Sequence, residues 1–238
     1  MKVKYFSVLF VALLNAHCSF AQSPLSRFYE NAKVGYKNAD GKTIVAPEYY
    51  AGSEFVNGFA IVVKDNLRGY INESGQVQIP LLYRDAHPFF NGFAAVKFGN
   101  KYGFINTKGE WVIKPIYDEV YAFTGKMALI KRNGKYGYVN EQLKEVITAK
   151  YELATQFSEG LAMIKMGNKF TFINQLGKLA FNKSFDFAGS FYNGEALVGI
   201  GREKYAINHK GKILRKVKEL EEHEEREKER ELKKNKKH

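Results

Sequence analysis

One spacing constrains this chain more than any other feature. Asn38, Asn72, Asn106, Asn140, Asn174 and Asn208 recur every 34 residues, taken as 72 − 38. Phe55, Phe89, Phe123, Phe157 and Phe191 keep the same step. So do Ala60, Ala94, Ala128, Ala162 and Ala196, and Tyr49, Tyr83, Tyr117 and Tyr151 with Phe185 next in register. Four columns without an insertion define a tandem array, in which each unit buries its apolar face against its neighbours. A helical repeat of similar period is excluded by the turn chemistry. Asp65-Asn66, Gly99-Asn100, Asn133-Gly134, Gly167-Asn168 and Gly201-Arg202 each separate two apolar runs. Asn, Asp and Gly tolerate the positive φ of tight hairpin turns, so each pair predicts a β-hairpin.

Closing these hairpins fixes their partners. Val96 is expected opposite Gly103, Ala95 opposite Phe104, Val62 opposite Gly69 and Ile130 opposite Gly137. A β-branched side chain can then lie over bare glycine backbone. A second turn follows in each unit, as in Asn72-Glu-Ser-Gly75 and Asn106-Thr-Lys-Gly109. Asn bonds the backbone ahead of it and Gly supplies the left-handed residue. Leu143 replaces that Gly in the fourth copy, which predicts an altered turn there. The middle copy reads as strands Lys101–Asn106, Trp111–Lys114 and Met127–Arg132, with a short strand near Glu119–Ala122. Pro47 and Pro115 are expected at strand ends, because proline cannot donate to a ladder. The Tyr and Phe columns read as core, and the Ala column as a close approach of neighbouring sheets.

The best copy runs Tyr102-Gly103-Phe104-Ile105-Asn106, Gly109, Val112-Ile113-Lys114-Pro115, Tyr117-Asp118, Phe123, Ala128-Leu129-Ile130. It resembles the WG repeat family, over about Val34 to Leu214. The chain departs from the family at the namesake tryptophan, whose slot holds Val34, Arg68, Tyr102, Tyr136, Phe170 and Lys204. The following Gly becomes Thr171 and Tyr205 in the last two copies. The resemblance implies an all-β repeat scaffold and carries over no catalytic residue. The expected fold is a stack of tandem antiparallel β-meanders forming an open, curved solenoid. A closed propeller-like ring of six units is the alternative.

The flanks differ in kind from residues 28–214, which hold the six copies. Residues 1–21 read as a secretion signal: Lys2 and Lys4, a short apolar core from Val8 to Leu14, and a Ser19-Phe20-Ala21 cleavage site. The apolar run is too short to span a bilayer. Cys18 allows the alternative of a lipid anchor, although His17 is a poor residue before an acylated cysteine. With cleavage after Ala21 no cysteine remains, which excludes disulfide and thiol chemistry. Gln22 to Ala32 reads as a lead-in with a turn of helix around Leu25 and Phe28. Residues 215–238 read as a charged helix or disordered tail, rich in Glu–Lys and Glu–Arg pairs at helical spacing and lacking an apolar stripe.

The formal charge is +12, or +10 without Lys2 and Lys4. A basic exported protein is drawn to anionic surfaces. Export and the lack of a recognised motif argue against nucleic acid. After processing, His87, His209, His223 and His238 remain, scattered over different positions, and no metal-ligand, phosphate-loop or nucleophile-elbow motif is present. Asp118 and Glu119 are adjacent carboxylates, but neighbouring strand residues face opposite ways, so they read as solvated. The expectation is a non-catalytic scaffold without cofactor or metal, exported to the periplasm or beyond. Its expected partner is a protein or glycan of the cell envelope, without stable membrane insertion. Carbohydrate binding through exposed aromatics is the alternative, with Tyr102, Trp111 and Tyr136 as candidate rings. A hydrolase built on scattered carboxylates is the remaining reading.

Overall fold

The computed structural model describes residues 25–217, and every regular element among them is a strand. The expected C-terminal helix and the signal segment lie outside the described residues. The strands form six antiparallel sheets that follow one another along the chain. The first holds β1 (Ser26–Glu30), β2 (Lys33–Lys37) and β3 (Thr43–Tyr49). The second holds β4 (Ala51–Gly52), β5 (Phe59–Lys64), β6 (Leu67–Asn72) and β7 (Val77–Tyr83). The third repeats this with β8 (Asp85–Ala86), β9 (Phe93–Phe98), β10 (Lys101–Asn106) and β11 (Trp111–Tyr117). In the fourth are β12 (Glu119–Val120), β13 (Met127–Arg132), β14 (Lys135–Asn140) and β15 (Glu145–Tyr151). The fifth keeps only β16 (Leu161–Met166) and β17 (Lys169–Asn174). The sixth has β18 (Phe187–Ala188), β19 (Ala196–Ile200), β20 (Glu203–Ile207) and β21 (Ile213–Val217).

The hairpin turns behave as their residues dictate. Asp65-Asn66 and Asn133-Gly134 take positive φ at both positions, whereas Gly99, Gly167 and Gly201 do so at the first. The paired registers are those expected: Val96 with Gly103, Ala95 with Phe104, Val62 with Gly69 and Ile130 with Gly137. A sixth hairpin corrects the reading of Gln22–Ala32. Asn31 and Ala32, at φ 48° and 58°, reverse the chain between β1 and β2. The segment around Phe28 is therefore a strand and not a helical turn, because its backbone groups pair along Lys33–Lys37.

The second turn is uniform. In each copy the Asn side-chain oxygen accepts the backbone N–H groups two and four residues ahead, as Asn72 does from Ser74 and Gln76 at 3.0 Å. Asn140 does the same, accepting from Gln142 at 3.1 Å and Lys144 at 2.9 Å. The alteration expected at Leu143 does not occur. Leu143 adopts φ 58°, the left-handed conformation of its glycine counterparts. Its side chain is buried with Phe104, Tyr117 and Ile130, and that burial offsets the conformational cost.

The glycine after the namesake slot has a different purpose from the one expected. A Cβ on Gly103 would stand 2.5 Å from the Ile113 carbonyl oxygen and 2.9 Å from the Pro115 nitrogen. The corresponding approaches are 2.5 Å at Gly69, to the Ile79 oxygen, and 2.5 Å at Gly137, to the Ile147 oxygen. The outer strand bulges over this bare backbone. Tyr102 pairs with Tyr117, but Phe104 pairs with Ile113, so two extra residues are looped into β11. Pro115 therefore lies inside the strand at its bulge, where no ladder donor is required, and not at its end. The two copies lacking the glycine differ from each other: at Thr171 the offset of the outer segment persists with sparser pairing, whereas at Tyr205 the bulge is gone. At Thr171 the outer segment pairs only near its ends, through Phe185 and Leu179, and the Thr171 hydroxyl donates to the Lys183 carbonyl at 2.8 Å. At Tyr205 the same bulge is missing, since Lys204, Tyr205 and Ala206 pair with Val217, Lys216 and Arg215 in unbroken register.

The core is distributed along the array. Five apolar clusters each straddle one junction between successive copies. The Ala column is fully enclosed at these seams, as are the Tyr column and its Phe185 member. Phe55 and Phe123 are only partly buried. A further column, not singled out from the sequence, is as deeply buried as the Ala column. Tyr36, Tyr70 and Tyr138 are inaccessible to solvent. Their hydroxyls donate to the carbonyls of Ser53, His87 and Thr155 at 2.9, 2.7 and 2.6 Å, 17 residues ahead in each case. Each such bond satisfies a buried phenol and ties a middle strand to the segment that follows its own outer strand.

Candidate functional site

Strand alternation and register bring the same side-chain types into a transverse row on two successive sheets. On the third sheet Asp85, Lys97 and Tyr102 are direct cross-strand partners. On the fourth, Glu119, Lys131 and Tyr136 occupy the same positions. These acid–lysine–tyrosine rows follow from the 34-residue step. The second sheet has Ala51, Val63 and Arg68 in register, and the fifth copy has Leu153, Lys165 and Phe170.

The rows are tightly connected. The Tyr102 hydroxyl donates to Asp85 Oδ2 at 2.5 Å, and Arg68 reaches from the second sheet to place its Nε 3.5 Å from Asp85 Oδ1. His87 Nε2 lies 3.9 Å from Asp85 Oδ2, with its ring edge-on to Tyr102 at 5.7 Å. The Lys97 ammonium stands 5.3 Å above the Tyr102 ring. On the next sheet Glu119 accepts from the Tyr121 hydroxyl at 2.6 Å and from Lys131 at 2.9 Å. Lys131 also stands 5.0 Å over the Tyr136 ring. These groups are half-exposed, so the ion pairs contribute little individually to stability, of the order of 1 kcal/mol or less.

The electrostatics fix the protonation states. The Tyr121 hydroxyl and Lys131 hold the Glu119 carboxyl below its ordinary range. Burial raises the Tyr102 phenol, reinforced by its bond to Asp85, and Glu119 chiefly raises Tyr121. Burial lowers His87, against the pull of Asp85. Near neutral pH the row thus presents an ionised Glu119, protonated phenols and a charged Lys131. Such groups offer directional hydrogen bonds and ring faces rather than a readily exchanged proton.

Tyr102 and Tyr136 occupy equivalent positions on successive sheets. Trp111 does not join them. Its ring lies over Gly103, the strand neighbour of Tyr102 that faces the other way, and packs edge-on against Tyr83 and Phe98 at 6.0 and 6.2 Å. Asp118 and Glu119 diverge as expected, but they are paired rather than merely solvated. Asp118 binds Lys101 and accepts the Gly134 N–H at 2.9 Å, and these two contacts lower its pKa. Asp85 is the row residue that the sequence reading does not single out. Its signal was available, because Asp85 and Glu119 stand one repeat apart. Among the described residues, no group of three or more His, Cys, Asp and Glu side chains is placed to hold a metal ion, and no helix is long and apolar enough to cross a membrane.

A family model described as WG containing repeat matches residues 35–67, 69–102, 102–136, 136–170 and 170–202. Similar solved structures include Kluyveromyces lactis Hsv2 with its complete loop 6CD, at 11% identity and TM-score 0.46, covering 84% of this chain and 72% of that one. A eukaryotic initiation factor aligns at 10% identity and TM-score 0.47, covering 80% and 62%. BamB from Moraxella catarrhalis aligns at 9% identity and TM-score 0.39, covering 80% and 66%. No curated protein matches the chain.

Proposed function

Because the chain belongs to the WG containing repeat family, we propose that it is a non-catalytic repeat scaffold whose acid–lysine–tyrosine rows bind a protein or glycan of the cell envelope. The observation that carries this reading is the side-by-side placement of the rows on the third and fourth sheets. Each row engages its carboxylate with a phenol, Asp85 with Tyr102 and Glu119 with Tyr121, and sets a lysine over an aromatic ring, Lys131 being also paired with Glu119. A static array of donors, acceptors and rings suits recognition of a hydroxyl-rich or peptide surface. It is poorly matched to hydrolysis, which needs one carboxyl kept protonated and free to move its proton.

The reading includes export, with residues 1–21 removed as a signal, and residence in the periplasm or outside the cell. Intact-mass analysis of the protein recovered from cell fractions tests both points. A mature start at Gln22 supports them, and a retained Met1 in a cytoplasmic fraction contradicts them. It also takes the six sheets as an open, curved stack. Among the described residues, strand pairing and the substantial sheet-to-sheet packing run between successive copies, and none joins the first sheet to the sixth. Cysteines placed at Ser26 and Arg215 should therefore fail to cross-link, while a closed ring would join them.

The binding claim is tested by affinity capture from envelope extract and by retention on cell-wall material. Tyr102→Ala with Tyr136→Ala should lower retention at least tenfold at a temperature where the variant is still folded, its thermal transition falling because both rings pack on the core. Unchanged retention removes the glycan reading, and loss of captured proteins as well as glycans removes neither ring from the site.

A further inference from the structure

The seam between the fourth and fifth copies contains an open groove of about 510 Å³, within the usual range for small-molecule sites. Its meaning comes from comparison with the two preceding seams, where the equivalent space is filled. Between the second and third copies the Trp111 ring covers Tyr83 and Phe98. Between the third and fourth, Leu143 is buried beside Tyr117, and Glu145 forms a two-point ion pair with Arg132, both contacts at 2.9 Å. One repeat further on, Gly177 replaces Leu143, Leu179 replaces Glu145 and Met166 replaces Arg132. The apolar plug and its carboxylate are both gone. Leu179 and Met166 are left about half exposed over an enclosed floor of Ile164, Ile173 and Tyr151.

The charges change in the same direction. Lys131 is held by Glu119, but the residue equivalent to that glutamate beside Lys165 is Leu153. Lys150 adds a second cation where the preceding copy has Ile116. Among the described residues neither Lys150 nor Lys165 has a carboxylate partner, while Lys135 is engaged with Glu152 at 3.6 Å. The groove thus lacks the apolar body and the anion that Leu143 and Glu145 supply one seam earlier, and the carboxylate that does line it, Glu152, faces Lys135 rather than Lys150 or Lys165.

We propose that this groove binds a small carboxylate with an apolar or aromatic body, either as a free acid or as the C-terminal residue of a peptide. The apolar body takes the place of the Leu143 side chain against Leu179 and Ile164. The carboxylate reaches Lys150 and Lys165. The groove does not include Tyr102 or Tyr136, although Tyr151 on its floor is the strand partner of Tyr136.

The test uses the full chain with methyl-labelled Ile, Leu and Met, titrated with 3-phenylpropionate and with the peptide Gly-Gly-Phe. 3-Phenylpropanol and 3-phenylpropylamine serve as charge controls. Saturable shifts at Met166, Leu179 and Ile164 are expected, with affinity of the order of 0.1–1 mM for so small a ligand. Affinity should fall at least tenfold for the alcohol and further for the amine. Tighter binding of the peptide than of the free acid would assign the natural ligand to a chain terminus, and the reverse order to a metabolite acid. Gly177→Leu rebuilds the missing plug and should abolish the shifts; at φ 72° the new side chain is strained, so its melting transition should fall yet stay cooperative. Lys150→Gln with Lys165→Gln should remove the preference for the acid over the alcohol. Absence of shifts at 10-fold above that range, equal binding of acid and amine, or binding that survives in folded Gly177→Leu would each overturn the proposal.

Discussion

Leu143 offers an unusually discriminating test of how these turns are held. Its φ of 58° costs a residue with a Cβ about 1–2 kcal/mol relative to the right-handed region, a cost that glycine avoids. Its side chain is 6% exposed and packed against Phe104, Tyr117 and Ile130. Truncation of a buried leucine removes about 2–5 kcal/mol, and the rim position of a turn places this one toward the lower end. Leu143→Ala loses the packing and keeps the strained φ, so its expected destabilisation is about 2–3 kcal/mol. Leu143→Gly loses slightly more side chain but relieves the φ, which leaves about 1–2 kcal/mol. The glycine variant should therefore be the more stable of the two by about 1 kcal/mol, the opposite of their order at a right-handed helix or strand position. Urea denaturation with fitted midpoints and slopes measures this directly. An alanine variant equal to or more stable than the glycine variant would refute the account of this turn.

Four further outcomes follow from the same structure. Gly103→Ala should destabilise by about 3 kcal/mol or more, because the new methyl meets the Ile113 and Pro115 backbone as well as the Trp111 ring. Gly189→Ala, whose nearest contact is 3.7 Å away, should change the urea midpoint little. Tyr70→Phe should cost about 1–2 kcal/mol by leaving the His87 carbonyl without its phenol, whereas the same change at an exposed tyrosine such as Tyr192 should be close to silent. Burial lowers His87, so its neutral form stabilises the fold. That contribution is complete above about pH 6.5 and is lost as pH falls from there through the depressed folded value. A second decline should follow below about pH 4 as the depressed carboxyls of Asp118, Glu119 and Asp186 are protonated. His87→Gln should flatten the first decline and leave the second, as read from denaturation midpoints across the pH range.

Much of this fold is legible in the chain because the repeat supplies its own internal alignment. Turn pairs rich in Asn, Asp and Gly fix each hairpin, and the hairpin fixes which residue faces Gly69, Gly103 or Gly137. What the sequence concealed were effects acting between strands that the pattern treats separately. The turn Asn31-Ala32 was hidden because alanine rarely accepts positive φ, so β1 was mistaken for a helical lead-in. The glycine of the repeat was credited to the strand before it, although the bulge of the strand after it is what needs the space. Leu143 was read by its backbone preference alone, without the seam that rewards its side chain. At the candidate site Tyr102 and Tyr136 were found through their slot, whereas Asp85 and Lys97 required register across three strands. Trp111 is exposed as its sequence position suggests, although its ring also closes a seam against Tyr83 and Phe98, whereas Tyr102 and Tyr136 are partly buried against the core.

The central physical claim is that the bare glycine of the middle strand in the first four copies, Gly35, Gly69, Gly103 and Gly137, lets the bulged outer strand lie directly over it. Nuclear Overhauser contacts in the third sheet test it most directly. The account predicts backbone contacts from Tyr102 to Tyr117 and from Phe104 to Ile113, with Gly103 α-protons close to the Ile113–Pro115 backbone. Contacts from Phe104 to Pro115, the register of an unbroken ladder, would contradict it.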